Sequence, residues 1–386
     1  MNKKLLIAAA VGSALISQGV VASHYRGGSI VPSVSANGLV SFTTTTYWRT
    51  NAVAGTVSGG GEGSYTLNGS SIGTASTSGP SGNWGQATRT VDTSDVRFTR
   101  VVDTMTYQLS AAGSYNFEWS SCCHTTGIAN ASGGEALDST IVWDGSTANA
   151  PILFTLAAVN PEVVRGQAYS DNLGAVSGSG LTLTYDQLLS QGVSSAITGF
   201  SIDPNTGAMS ISAADTTNMT HENPLGPPYY DGADYAFSGN INASDGSSVE
   251  FEWLFDAVDS GSGNLAPVVD DLVINAFVGD TINATVTGTD PEGDTLIWSL
   301  LSFFGPGDNG LFNFDPNTQA IAWNTTGAGI GTYIANVRAS DGSLTDVGTV
   351  TINLSNRTNG NVPEPLTLAL FGVGLAGLGV ARRRRK

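Results

Sequence analysis

The feature that most restricts the fold is a stretch that occurs twice. Phe200-Ser201-Ile202-Asp203-Pro204-Asn205-Thr206-Gly207-Ala208-Met209 returns as Phe312-Asn313-Phe314-Asp315-Pro316-Asn317-Thr318-Gln319-Ala320-Ile321. Ala243-Ser244-Asp245-Gly246-Ser247 returns as Ala339-Ser340-Asp341-Gly342-Ser343, and Ala150-Pro151 matches Ala266-Pro267. Two tandem modules follow, 151–259 and 265–355. Each copy reads as strand, turn and strand. Phe312 and Phe314 share one face of a strand and Asn313 takes the other. In Asp-Pro-Asn-Thr the proline fixes φ, and the Asp and Asn side chains bond local backbone. Tyr333–Ala339 alternates again, with Tyr, Ala, Val and Ala toward the core, and Val347–Leu354 is the last strand. Modules of this size with closely spaced turn signals suit β-sandwiches. The first copy carries an insertion over 216–234 that reads as a long loop.

The region 24–150 has a different texture but the same class. Its strand candidates are Leu39–Trp48, Arg97–Leu109, Ser114–Trp119 and Ser139–Trp143, separated by Gly- and Ser-rich stretches, which suits a sheet with one wet face. Nothing between the two ends has the period of a long amphipathic helix. The interior is expected to be all-β: an N-terminal β-rich domain (24–150), a first β-sandwich (151–259) and a second (265–355).

The ends carry addresses. Lys3 and Lys4 precede the apolar run Leu5–Ile16, and Val20-Val21-Ala22 offers small or slim residues for cleavage, so 1–23 reads as a signal peptide. At the other end Val362-Pro363-Glu364-Pro365 stands before the apolar stretch Leu366–Ala381, followed by Arg382-Arg383-Arg384-Arg385-Lys386. That stretch is a marginal transmembrane helix whose basic cluster favours the cytoplasmic side, leaving the body of the chain outside. A linker, 356–361, joins it to the last module. The net charge is −17 at pH 7, and removing both basic ends makes the remainder more acidic. Such a surface repels nucleic acid and anionic membranes.

The order VPEP, apolar helix and Arg-rich end resembles the PEP-CTERM sorting signal of Gram-negative bacteria. The resemblance implies recognition by an exosortase of Pro363, Glu364 and Pro365 together with Arg382 and Arg383. It also implies cleavage near the motif, delivery to the cell surface or medium, and a setting of exopolysaccharide and biofilm. The second repeat is similar to cadherin-like modules of the dystroglycan and bacterial Ig-like kind, through Asn264-Leu265-Ala266-Pro267, Asp290-Pro291-Glu292-Gly293-Asp294, the Phe-Asp-Pro-Asn-Thr turn and Ala339-Ser340-Asp341-Gly342. The first repeat resembles Ig-like relatives of that group. The fold expected from these likenesses is an Ig-like sandwich followed by a cadherin-like one.

Asp290, Glu292 and Asp294 place three carboxylates in five residues, and calcium wants six to eight hard oxygen ligands. By position in the cadherin-like family, Asp341 joins them, and Asp271 just after the linker adds a further ligand. Calcium is the cofactor such a cluster would take. The alternative is an acidic turn that bonds its own backbone. The first copy has Val176–Gly180 where the acidic motif would stand. Cys122 and Cys123 are the only cysteines. In an oxidising exterior a vicinal disulfide fits them, although adjacent Cα atoms are closer than usual disulfide spacing. Reduced or intermolecular thiols, or a zinc site with His124, are the alternatives.

No nucleophile elbow, phosphate loop or zincin helix occurs. The seven tryptophans read as core residues more readily than as a sugar cleft. The expected function is a non-catalytic adhesive or structural protein of the cell surface or matrix. Its expected partners are an exosortase, extracellular polysaccharide or another surface protein, and the membrane through the C-terminal helix. The rival readings are a carbohydrate-binding module and a surface glycosidase.

Overall fold

A computed structural model describes residues 25–49, 63–74, 84–95, 97–122, 124, 127–159, 161–220, 234–259 and 264–357, without side chains at 73–74, 84–87, 122 and 158. The signal segment 1–23, the sorting residues Pro363, Glu364, Pro365, Arg382 and Arg383, and the expected helix 366–381 lie outside them. So does Cys123, and of Cys122 only the backbone is included. Among the described residues no helix is long and apolar enough to cross a membrane.

The first part is strands: β1 (Tyr25–Val34), β2 (Leu39–Arg49), β3 (Ser64–Leu67), β4 (Ser70–Thr74), β5 (Trp84–Asp92), β6 (Phe98–Gln108), β7 (Gly113–Cys122) and β8 (Gly134–Trp143). β6 alternates between buried and half-buried positions over most of its length, as a strand with one wet face should. β2 does so only in its first half. From Thr44 to Arg49 every side chain is buried. Tyr47 enters one hydrophobic core and Trp48 another. Successive side chains point to opposite faces, so β2 is a wall shared by two cores.

The second core belongs to β9 (Glu162–Val164), β10 (Tyr169–Asn172), β11 (Leu183–Leu188), β12 (Ser201–Ile202), β13 (Ala208–Ile211), β14 (Tyr235–Ala243) and β15 (Ser248–Val258). β15 pairs antiparallel with β14, with β8 and with β1, Gly28 lying opposite Glu252. Strand pairing therefore crosses residue 150, where a boundary between the N-terminal domain and the first sandwich was expected. The glycines of β1 permit this. A Cβ on Gly27 would lie 2.5 Å from the Glu252 carbonyl oxygen, and one on Gly28 would lie 2.7 Å from that of Thr45. Only bare backbone lets β1 slot between β2 and β15. A one-turn helix, α1 (Ala213–Thr217), runs into the start of the inserted region, and Ser212 caps it by accepting the Asp215 amide. Residues 221–233 of the insertion are outside the described residues.

The last part is a β-sandwich of β16 (Val268–Val269), β17 (Leu272–Phe277), β18 (Thr281–Thr285), β19 (Gly288–Thr289), β20 (Ile297–Phe304), β21 (Asn313–Asp315), β22 (Ala320–Asn324), β23 (Gly331–Ser340) and β24 (Thr345–Ser355). One sheet runs β17-β24-β23-β20 and the other β18-β22-β21. Tyr333, Ala335, Val337 and Ala339 fill the core between them. Ile334 and Asn336, on the other face of β23, are buried as well. Asn336 Nδ2 donates there to Ser302 Oγ at 2.8 Å, while its Oδ1 is buried without a hydrogen-bond partner among the described residues.

The repeated turn is built the same way twice. Asp203 Oδ1 accepts the amides of Asn205 and Thr206, and Asp315 Oδ1 accepts that of Asn317. Both turns end in a left-handed residue, Gly207 at φ 70° and Gln319 at φ 56°. The copies differ here for a reason of space. A Cβ at Gly207 would meet the Tyr185 ring at 2.8 Å, whereas Gln319 side-chain Nε2 reaches the Pro316 carbonyl.

Candidate functional site

The least ordinary chemistry lies inside the shared sheet. Val249, Phe251, Trp253, Phe255 and Ala257 of β15 enter the central core, so Glu250, Glu252 and Asp256 project to the opposite face. That face is also closed, and all three carboxylates are buried. Glu252 serves two partners. His124 Nε2 lies 2.5 Å from Oε1, and Ser190 Oγ donates to Oε2 at 2.5 Å. Nδ1 of the same ring is 3.2 Å from the Gly133 carbonyl oxygen, the arrangement of an imidazolium donating on both sides. Burial disfavours that charge, but the hydrogen bond and charge of Glu252 prevail and hold the His124 pKa above its usual value. Gly192 packs on the ring, where a Cβ would sit 2.5 Å from Cε1.

Glu135, on β8, completes the cluster. Both its carboxyl oxygens are buried with no hydrogen-bond partner among the described residues. Burial pushes its pKa up to about 8, with His124 opposing and Glu252 adding to the rise. Glu250 is pushed up to about 7, chiefly by burial, although its Oε2 accepts the Asp138 amide at 2.9 Å. The Tyr25 hydroxyl, buried nearby, also lacks a partner among the described residues, and burial raises its pKa.

This constellation is not a hydrolytic triad. In such a triad the histidine stands between nucleophile and acid so that it can take the serine proton. Here the carboxylate stands in the middle, and the group that accepts from Ser190 Oγ is Glu252, not the imidazole. The His124 and Glu252 side chains are 0% exposed, which closes the group to any substrate.

A second buried network fastens the last module to the rest. Arg97 binds Asp95 Oδ2 and Glu162 Oε1, each at 2.7 Å, and also donates to the Thr345 carbonyl oxygen at 2.7 Å. Asp95 Oδ2 in turn accepts from the Thr345 hydroxyl at 2.7 Å and the Thr345 amide at 3.1 Å. Arg26 reaches Asp256 at 2.5 Å and the Arg97 carbonyl at 2.9 Å. On the rim Arg338 pairs with Asp92 at 2.6 Å and also bonds Ser94 Oγ. Burial works against the charge of Arg97, but Asp95 and Glu162 overcome it and raise its pKa. Burial holds Asp346, which accepts the Val269 amide, up at about 6.

The five acidic residues expected round calcium are distributed otherwise. Asp290 Oδ1 accepts the amides of Glu292 and Asp294, closing its own turn. Glu292 Oε2 accepts the Leu265 amide at 3.1 Å. Asp341 accepts from Asn264 Nδ2 at 2.7 Å and from the amides of Ser343 and Leu344. Asp271 is tied to the Thr349 amide at 2.7 Å. Two of the acidic loops thus meet at the linker residues 264–265, which they hold by direct hydrogen bonds. Asp290 Oδ2 is buried without a hydrogen-bond partner among the described residues. Among the described residues no three His, Cys, Asp or Glu side chains are grouped to hold a metal ion.

Trp48, Trp119, Trp143, Trp253 and Trp323 are buried in the cores, not ranged along a cleft. Apart from His124, considered beside the cysteines, the residues of the two networks were not singled out from sequence. Pairs such as His124–Glu252 and Arg97–Thr345 are separated by 128 and 248 positions, and no local pattern links them. A partial signal existed in Glu250-Phe251-Glu252, two acids on the alternate face of an otherwise apolar strand.

Solved structures to which the chain is similar include the N-terminal Ig1-2 module of the Drosophila receptor protein tyrosine phosphatase DLAR, at 12% identity over 53% of this chain and 99% of that one, with a TM-score of 0.22. Human protocadherin-24 EC1-2 matches at 16% identity over 54% of this chain and 99% of that one, TM-score 0.19. The endo-fucoidan hydrolase MfFcnA4 of glycoside hydrolase family 107 matches at 14% identity over 71% of this chain, which spans 38% of that enzyme, TM-score 0.21. The likenesses are loose, and the fold described above stands on its own strand pairing. No curated protein matches the chain. Residues 361–386 match the PEP-CTERM protein-sorting motif, and the chain therefore carries the address of an exosortase-dependent surface protein.

Proposed function

We propose that this chain is a non-catalytic structural or adhesive protein of the bacterial surface or its matrix. Its C-terminal signal hands a rigid β body to an exosortase-type system. The sorting motif at 361–386 carries the reading. The body suits the role: its last module is fastened by a buried ion network rather than hung on a free linker. The serine, carboxylate and histidine cluster among its described residues has the wrong order for hydrolysis. The acidic surface keeps copies apart in the medium.

The test is a deletion in cells that carry an exosortase. The full chain becomes accessible to an extracellular amine-labelling reagent, and the variant lacking 361–386 does not reach the same location. Equal surface labelling of both forms would refute the sorting role. Release of reducing sugar from polysaccharide by the purified protein would refute the non-catalytic one.

A further inference from the structure

A groove with a volume of about 750 Å³ runs between the first sandwich and the outer face of the last module's larger sheet. It is of the size that ligand sites occupy. One wall is the 172–185 segment and the other is the outward row of β17, β24 and β23. The walls touch where Gly174 packs against Thr349. The lining is chemically unusual for this protein. The chain as a whole carries 32 acidic and 15 basic residues, yet among the described residues that line the groove only Asp271 is charged, and its Oδ1 already accepts the Thr349 amide.

What remains is hydroxyl and amide. Across the sheet Thr332 Oγ1 donates to Asn353 Oδ1 at 2.9 Å, and Asn353 Nδ2 donates to Asn275 Oδ1 at 3.1 Å. That chain fixes the Asn353 amide while leaving it a second N–H to donate. Thr351, one row along β24, adds a hydroxyl. Between these polar groups stand exposed apolar side chains, Val273 at 64% and Ile330 at 56% exposure.

We infer that this groove binds a strand of neutral polysaccharide. The ligand must offer hydroxyls to a fixed amide row and apolar C–H faces to Val273 and Ile330, and it must be long enough to follow an open channel. A polyanion meets no Lys or Arg in the groove and is repelled by the body. A polycation finds a single carboxylate, Asp271, one of whose oxygens already accepts the Thr349 amide. A peptide strand would bind through main-chain hydrogen bonds at a free sheet edge, whereas this channel presents outward side chains. The inference rests on the surface reading only for where the polymer is met. Binding in purified form is independent of sorting.

The test is affinity electrophoresis of the full chain, purified in mild detergent, through gels containing laminarin or dextran as neutral probes and alginate as the acidic one. At least one neutral probe retards the protein and alginate does not. Thr351→Trp, which fills the channel, abolishes the retardation, and Asn353→Ala weakens it about tenfold. Ile330→Ser, at a position too exposed to matter for folding, weakens it as well and guards against misfolding of the first two. Retardation by neither neutral probe, stronger retardation by alginate, or retardation unchanged in Thr351→Trp and Ile330→Ser would overturn the inference.

Discussion

Glu135→Gln tests whether the buried acid cluster is held together by protons. With a pKa raised from 4.5 to about 8, Glu135 binds its proton more tightly in the folded chain than in the unfolded one. The sign follows. Below pH 4.5 both states are protonated and the group contributes no pH dependence. Between pH 4.5 and 8 the unfolded state releases the proton first, so stability falls as pH rises, and above pH 8 the loss is complete. At about 1.4 kcal/mol per pH unit, Glu135 removes about 3 kcal/mol at pH 7 and about 5 kcal/mol above pH 8. Glu250, raised to about 7, adds a loss of about 3 kcal/mol over pH 4.5 to 7. The raised pKa of His124 acts in the same direction, because the folded state keeps a proton that the unfolded state loses. Urea unfolding followed by tryptophan fluorescence at unit steps from pH 5 to 9 reads this directly, since the buried tryptophans flank the cluster. The wild type is most stable near pH 5. In Glu135→Gln the decline over pH 5 to 9 shrinks by about half, and the residue belongs to Glu250 and His124. A variant curve parallel to that of the wild type, or stability that climbs from pH 5 to 8, would refute the reasoning.

Arg97→Met strands Asp95 and Glu162 as buried charges and is expected to cost about 3–5 kcal/mol in chemical denaturation. Thr345→Val, which removes one hydroxyl from Asp95, costs about 1–2 kcal/mol, and a double-mutant cycle shows coupling between the two. Gly207→Gln forces a side chain against Tyr185 in a left-handed turn and destabilises by about 2 kcal/mol or more. Gln319→Gly, at the equivalent turn of the second copy, shifts stability by less than about 1 kcal/mol. Because the acidic loops hold the linker by direct hydrogen bonds, the melting temperature is the same in calcium and in EDTA, while Asn264→Ala lowers it; a rise of several degrees in calcium, lost in Asp294→Ala, would show that the carboxylates gather round the ion after all.

The parts of this fold that were legible are those written in side-chain alternation and turn chemistry. Phe314 faces the core and Asn313 the solvent, and Asp203 and Asp315 close matching turns. Alternation states which face a residue takes, but not what covers that face. Ile334 and Asn336, on the face of β23 opposite the one expected to enter the core, are buried too. The pairing of β1 with β15 joins segments more than two hundred residues apart, and its signal, Gly27-Gly28, reads locally as a flexible stretch instead of a slot for a neighbouring strand. In the acidic loop 290–294 Asp290 closes its own turn, and an aspartate that does so has the same spacing as one that binds calcium. The buried networks left little trace in the sequence because most of their members come from distant segments, and the hydrogen bonds and ion pairs that join them form only once the chain is folded.

The account stands on delivery of a folded β body to the cell exterior, and intact-mass analysis of the polypeptide recovered from the outer surface tests that most directly. It predicts a species that begins near Ser23 or His24 and has lost the basic C-terminal end. A polypeptide retaining Met1 and Lys386 together, recovered from the cytosol alone, would contradict it.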